Sequence, residues 1–269
     1  MKFICPVCQR RLSAVGGSIV CDARHTFDKA KEGYYNLLLA RGGKNHGDNA
    51  EMVAARRNFL DTGAYLPLAE AALEIIKTHM PKRDTGALLD IGCGEGYYTD
   101  IFERGLPDST SVYAFDISRD AVKRAAKRNK KISLAVASAY HMPVCDSGFD
   151  IIVNMFSPLA VDEVRRAMAK DAVFVMAIPG ENHLYSLKAA TYENPYKNEV
   201  ADSRLDGLIL IDEKKISYKI KLKSSEEIKN LFMMTPYAYK TSASDTERLL
   251  SHNELEVEAD FIIFVYKKA

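Results

Sequence analysis

Two groups of residues in this 269-residue chain have types and spacings that could do chemistry. Cys5-Pro-Val-Cys8 and Cys21-Asp-Ala-Arg-His25 form a C-x2-C-x12-C-x3-H pattern. Loops of two and three residues hold each ligand pair at the separation a tetrahedral ion needs, and thiolates with one imidazole suit zinc. Cys5, Cys8, Cys21 and His25 supply four ligands and leave no open position, so the expected Zn2+ is structural and not catalytic. Reading them as scattered reduced cysteines would make the paired spacing an accident. The second group lies in Leu88–Tyr98, L-L-D-I-G-C-G-E-G-Y-Y. A short apolar run ends on Asp90 and then on Gly92, Gly94 and Gly96, which predicts a buried strand turning into a helix. Glycine there tolerates positive φ and lets backbone approach a ligand. The spacing is G-x-G-x-G rather than the G-x-G-x-x-G of dinucleotide sites. Asp90 would crowd a phosphate but could accept a hydrogen bond from a cationic amino-acid group, so the implied ligand is a nucleoside without phosphates. Twenty residues past Gly96 a second apolar stretch ends on Asp116, placed to hold ribose hydroxyls. The plainer alternative is a tight strand-to-helix turn in an α/β protein of another function.

Acid, glycine loop, strand and second acid together resemble the S-adenosyl-L-methionine site of class I methyltransferases. The elements that must position them alternate. A helix is expected over Leu68–Met80, a basic-faced helix over Ala121–Lys131, strands at Ile132–Ala137, Phe149–Phe156 and Ala172–Ile178, and a helix at Val161–Ala169. Such alternation predicts an α/β fold with a mostly parallel sheet and helices on both faces, ligands gathering at the strands' carboxyl ends. Those ends carry Gly92–Gly96, Asp116, Ser138–Met142, Asn154–Pro158 and Pro179–His183. Further on, Ile216–Leu222 and Phe261–Tyr266 read as strands, with helices at 225–233 and 244–251. Residues 1–34 are expected to form a small zinc-ribbon module and 35–269 the methyltransferase domain, with a Gly/Asn/His-rich loop at 42–49 that could move. No helical pattern runs between the cysteine pairs, so the module is a ribbon of zinc knuckles rather than a finger that puts a helix into DNA. With few apolar residues of its own, it could hardly fold without metal.

Charge balances overall at +1, but residues 1–60 hold ten Lys or Arg against five acids, a net +5 that leaves −4 for the rest. The asymmetry points a polyanion toward the N-terminal part, against the plain alternative of a solvated basic face. Arg56 and Arg57 could likewise contact RNA phosphate or be ordinary surface charge. No apolar run reaches the length of a membrane span, and the start lacks the apolar core of a signal peptide; a cytoplasmic protein is expected. Five cysteines in a reducing compartment argue for metal or free thiols over disulfides.

With these parts together, the chain resembles the bacterial 23S ribosomal RNA guanine-N1 methyltransferases. The similar stretches are C-P-V-C with C-D-A-R-H, F-D-K-A-K-E-G-Y, G-D-N-A-E-M-V-A-A-R-R-N-F-L-D-T-G-A-Y-L-P-L, L-D-I-G-C-G-E-G-Y-Y-T, F-S-P and P-G-E-N-H-L. The resemblance implies zinc on Cys5, Cys8, Cys21 and His25, and cofactor contacts from Tyr65, Gly94, Glu95 and His183. An aromatic face at Tyr65 would attract a sulfonium cation. It also implies a hairpin loop of 23S ribosomal RNA as the partner, with a second copy of the chain admitted and no membrane. After the fourth strand the chain reads N-M-F-S-P, where many amino-group methyltransferases carry an Asn/Asp-Pro-Pro-aromatic clamp. The difference favours a ring nitrogen as acceptor. Phe156 is a candidate for stacking on an extruded base and Ser157 for hydrogen-bonding its edge, while no His or carboxylate declares itself as the base. Two other readings stay open: a methyltransferase acting on a small molecule, and a zinc-dependent RNA-binding protein without activity.

Overall fold

The computed structural model describes residues 1–39 and 47–269, so the loop expected to move lies outside the described residues as far as residue 46. Three short strands, β1 (Leu12–Val15), β2 (Ser18–Cys21) and β3 (Thr26–Asp28), form an antiparallel sheet of their own. The next strand, β4 (Tyr35–Asn36), already belongs to the large sheet. Helices α1 (Ala50–Leu60) and α2 (Leu66–His79) follow, then the alternating part: β5 (Gly86–Ile91), α3 (Tyr97–Gly105), β6 (Thr110–Asp116), α4 (Arg119–Arg128), β7 (Ser133–Val136), β8 (Phe149–Met155), α5 (Val161–Ala167) and β9 (Met168–Pro179). The chain closes with α6 (Tyr185–Thr191), β10 (Leu208–Leu222), α7 (Ser225–Met233), α8 (Ala243–Leu250) and β11 (Leu255–Lys268).

The eight strands of the large sheet run in the order β10-β11-β9-β8-β5-β6-β7-β4. Neighbours from β4 to β9 are parallel, whereas β11 and β10 are antiparallel additions at one side. The sheet reverses direction of growth at β5, between β6 and β8, and a crevice at the carboxyl ends is the expected ligand site of such an order. Helix starts are written locally. Asn49 caps α1 by accepting from the N–H groups of Glu51 and Met52, and Ser118, Ser224 and Ser242 cap α4, α7 and α8 in the same manner. Each such cap is worth about 1 kcal/mol.

Alternation along the buried strands divides the core in two. Leu88, Val112, Ala114, Ile151 and Val153 face α2, α3 and α4, joined further along by α6, α7 and α8. The opposite residues Leu89, Tyr113, Phe115, Phe149 and Ile152 face a different partner: α5 through Val164 and Ala167, and the small sheet through Phe3, Leu12 and Ile19. Both faces carry helices, as the alternation predicts, but unequally. Among the described residues α5 is the only helix in the second core, and the metal-binding module does the rest of the covering. No helix joins β7 to β8, which leaves that area open. Phe3 meets Tyr113 edge-on at 5.4 Å, and backbone bonds from Ile4 N–H to Pro143 and from Cys145 N–H to Lys2 stitch the module to the β7–β8 connection.

Candidate functional site

The zinc tetrad assembles as its spacing predicts. Ligand atoms of Cys5, Cys8, Cys21 and His25 all lie within 4.8 Å of one another. Cys5 Sγ and Cys21 Sγ each stand 3.4 Å from His25 Nδ1, and Cys8 Sγ stands 3.6 Å from Cys21 Sγ. A tetrahedron with Zn–S of about 2.3 Å has edges of roughly 3.8 Å, so these separations fit a zinc at the centre. Both knuckles are closed by backbone: Gln9 N–H donates to Cys5 O, and Arg24 N–H to Cys21 O. Cys93 and Cys145 stand apart from the tetrad.

The second site is a cavity of about 610 Å³ at the carboxyl ends of β5, β6, β8 and β9, a volume typical of small-molecule sites. Of the residues singled out in the sequence, Tyr65, Asp90, Gly92, Gly94, Glu95, Asp116, Phe156, Ser157 and His183 line it. Gly96 does not: it starts α3 and packs against α4, where an added Cβ would come 2.9 Å from Ala125 Cβ. Ser138–Met142 also lies outside the lining: Met142 N–H bonds Glu163 of α5, and the chain then runs on to Pro143, which accepts from Ile4 of the module. The two remaining glycines serve different ends. A Cβ on Gly92 would stand 2.3 Å from Ser157 Cβ, so the β5 turn and the N-M-F-S-P turn need glycine to approach. Gly94, at φ +55, has nothing within 4 Å of an added Cβ, so the open space beside it is the cavity itself.

The polar groups separate into those already engaged and those left over. Asp116 accepts from the N–H groups of Gly94 (2.9 Å) and Ser118 (2.7 Å), which binds the glycine loop to the end of β6; burial holds its carboxyl above the ordinary range. Glu95, also on the lining, makes a bidentate pair with Arg128 at 2.7–3.1 Å. Ser157 is likewise committed: its hydroxyl donates to Ile91 O at 2.7 Å and its N–H to Asn154 Oδ1 at 3.0 Å. Ser157 thus clasps two turns together while still lining the cavity. Asn154, 1% exposed, holds the same turn through Pro158 O and so fixes Phe156 at φ +66, a conformation that bulky residues rarely adopt. Phe156 is 40% exposed, with its ring 5.6 Å from Phe261 and 6.3 Å from Tyr98. It is a presented aromatic and not a core residue.

Tyr65, 2% exposed, packs edge-on against Phe59 and Phe261, and its hydroxyl lies 3.3 Å from His183 Nε2. Burial lowers the His183 pKa to about 3, with Lys188 acting in the same direction, so the ring is neutral. Arg56 borders the cavity but is tied to Asp48 and to Met234 O, and Arg57 pairs with Asp61. Sequence reading missed the far wall, Met234–Tyr237, which follows α7 and closes the cavity opposite the glycine loop. Only the Thr235-Pro236 break after a helical period hinted at a turn there.

Among buried side-chain nitrogen and oxygen atoms of the described residues, two lack a hydrogen-bond partner: Asp90 Oδ1 and Tyr98 Oη. Asp90 is 1% exposed, and its other oxygen accepts from the Thr99 hydroxyl at 2.5 Å. Burial raises its pKa to about 7. An orphaned acid, an open cradle at Gly94 and a half-buried aspartate at the end of β6 fit a nucleoside bearing a cationic amino-acid tail.

Comparison with known proteins matches both parts of the chain. Residues 3–42 match a zinc-ribbon family model described as RlmA, N-terminal, and residues 88–177 match a model described as Methyltransferase domain. A protein of Bacillus subtilis named provisionally as a 23S rRNA (guanine-N(1)-)-methyltransferase is 27% identical over 99% of this chain and 97% of its own length. One of Micromonospora griseorubida, named provisionally in the same way, is 31% identical over 68% of this chain and 67% of its own. The 23S rRNA (guanine(748)-N(1))-methyltransferase of Streptomyces fradiae is 32% identical over 68% of this chain and 65% of its own.

Proposed function

Because this chain belongs to the family of 23S rRNA (guanine-N(1)-)-methyltransferases, we propose that it transfers a methyl group from S-adenosyl-L-methionine to N1 of a guanine in a hairpin loop of 23S ribosomal RNA. The observation that carries the reading is structural: the ribbon with its zinc tetrad covers the sheet whose carboxyl edge forms the cavity. Exposed Arg10, Arg11 and Arg24 on that ribbon take part in no ion pair among the described residues, and so remain available to phosphate. A small-molecule methyltransferase has no use for such a module. An inactive RNA binder has no use for an orphaned acid beside an open glycine cradle. No helix of the described residues is long and apolar enough to cross a membrane.

The cofactor, when bound, supplies a methyl already activated on a sulfonium. The chain's residues have to bind, orient and exclude water. Asp90 would take the amino group, Asp116 the ribose, and Gly94 would admit the nucleoside against bare backbone. Tyr65 and His183, backed by Phe261, make an aromatic, neutral wall that favours a cation without competing as one. Phe156 is presented to stack on the guanine, which must leave any pairing because N1 lies inside a Watson–Crick pair. The zinc holds the ribbon and takes no part in the transfer. Incubating the full chain with S-adenosyl-L-methionine and 23S ribosomal RNA, then mapping the product by mass spectrometry, should find 1-methylguanine in a loop. Methylation on the exocyclic amine, or of small acceptors alone, would refute the reading.

A further inference from the structure

We propose that Tyr98 is a specificity residue of the cofactor site, its hydroxyl donating to the amino-acid carboxylate of the cofactor while Asp90 Oδ1 receives the ammonium. This inference rests on the methyltransferase reading above. It starts from the two orphaned buried atoms, which line one cavity and are opposite in kind: a carboxylate oxygen can only accept, and a phenol can donate. A zwitterion is the ligand that completes both. Burying either atom without a partner is costly, so each is maintained at the expense of the ligand-free protein.

The surroundings of Tyr98 favour an anion. It is 9% exposed and sits in the first turn of α3, directly before the Thr99 that orients Asp90. Its pKa lies well above the usual phenol value through burial, with Tyr65 next in effect, so it is a permanent donor. Arg56, paired with Asp48 and Met234 O, lines the same cavity. Tyr65 adds a second donor by way of its neighbour. Asp260 N–H donates to His183 Nδ1 at 3.3 Å, which places the imidazole proton on Nε2. That Nε2–H then donates to the Tyr65 oxygen at 3.3 Å and leaves the tyrosine's own proton for the cavity. Two phenol donors near one arginine suit a carboxylate, and the single orphaned acid suits the ammonium beside it.

The test compares two ligands on the zinc-loaded full chain by calorimetry. S-adenosylhomocysteine carries the zwitterion; 5′-methylthioadenosine keeps the nucleoside and thioether without it. Tyr98→Phe should bind S-adenosylhomocysteine about ten-fold or more weakly and 5′-methylthioadenosine as the wild type does. Its ligand-free melting temperature should be no lower, because the variant loses an unsatisfied group and keeps the ring. Equal loss for both ligands, no loss for either, or a lower melting temperature would overturn the inference. If the wild type binds neither ligand, the methyltransferase reading fails with it; if the wild type binds both and Tyr98→Phe matches it, this inference alone fails.

Discussion

Replacing Asp90 with asparagine should strengthen the ligand-free protein at neutral pH while loosening its hold on the cofactor. The folded carboxyl titrates at about 7, raised by burial, against the ordinary 3.8. A folded state that keeps a proton the unfolded chain has given up gains stability at low pH, fully present below the unfolded value, and loses it as pH rises through the folded one. At 1.36 kcal/mol per unit the whole gap is on the order of 4 kcal/mol. Between pH 5.5 and 8, where the zinc thiolates are best kept metallated, about half of it, roughly 2 kcal/mol, should appear. Asparagine does not titrate, so the difference between wild type and Asp90→Asn isolates this group from all others. Urea unfolding of both proteins at the two pH values measures it. The wild type should lose about 2 kcal/mol relative to the variant on going from pH 5.5 to 8. Calorimetry with S-adenosylhomocysteine should show wild-type affinity rising with pH toward 7, since the ammonium needs the ionised acid, and weak binding by Asp90→Asn throughout. Parallel pH dependence in the two proteins would refute the assignment of a buried, proton-holding acid.

Cys8→Ser should lose the single zinc in metal analysis and melt at lower temperature, whereas Cys145→Ser keeps both metal and stability; zinc retained in the former would remove the tetrad. Gly94→Val should weaken S-adenosylhomocysteine at least ten-fold in calorimetry, because its side chain fills the cradle, with a fold penalty of about 1–2 kcal/mol from positive φ. An unchanged affinity would move the nucleoside elsewhere. Phe156→Ala should leave cofactor affinity intact and cut the rate on ribosomal RNA at least ten-fold, the stacking contribution being about 1–3 kcal/mol per base; parallel losses in both would make the ring a cofactor contact. Arg10→Ala with Arg11→Ala should flatten the salt dependence of RNA binding by about two phosphate contacts, a slope that stays unchanged if those cations are mere surface.

The parts of this protein legible in its sequence are those governed by short spacings. Ligand pairs two and three residues apart, glycines at alternate positions and apolar runs ending on acids each impose local geometry, and the tetrad, the β5 turn and Asp116 stand where those rules put them. Helix 225–233 was legible to the residue because Ser224 caps it and its apolar period is clean. What was hidden depends on partners far away in the chain. Nothing near Glu95 announces that Arg128 takes its carboxylate, and nothing near Ser157 says that Ile91 takes its hydroxyl. Strand β10 runs over fifteen residues where the sequence pattern marks seven, because pairing with β11 extends it back over Leu208–Lys215, an apolar run followed by a charged one with no period-two signal of its own. Tyr98 passed as one of two adjacent aromatics. Its role depends on the absence of a partner, and an absence becomes visible only once every neighbour is in place.

The ribbon and the catalytic sheet invite a division of labour in which residues 1–34 deliver RNA and the rest binds cofactor, with a truncated chain expected to keep the second task. The packing argues against testing it that way. Phe3 and Ile19 are 1% and 0% exposed because they lie on Tyr113, Phe149 and Val144, a face that no helix of the described residues would cover in their absence. Each large apolar side chain buried there contributes about 1.5–3 kcal/mol. Removing the module strips the sheet as well as the ribbon, and marginal domain stability does not absorb a loss of that size. Zinc should therefore act on cofactor binding at a distance, by holding the cover on the sheet. Chelating the metal from the intact chain should lower the melting temperature first and S-adenosylhomocysteine binding with it, along one transition. Cofactor binding that survives complete loss of zinc at the melting temperature of the metallated protein would show instead that the two halves fold independently, and the ribbon would then be an RNA-binding attachment and nothing more.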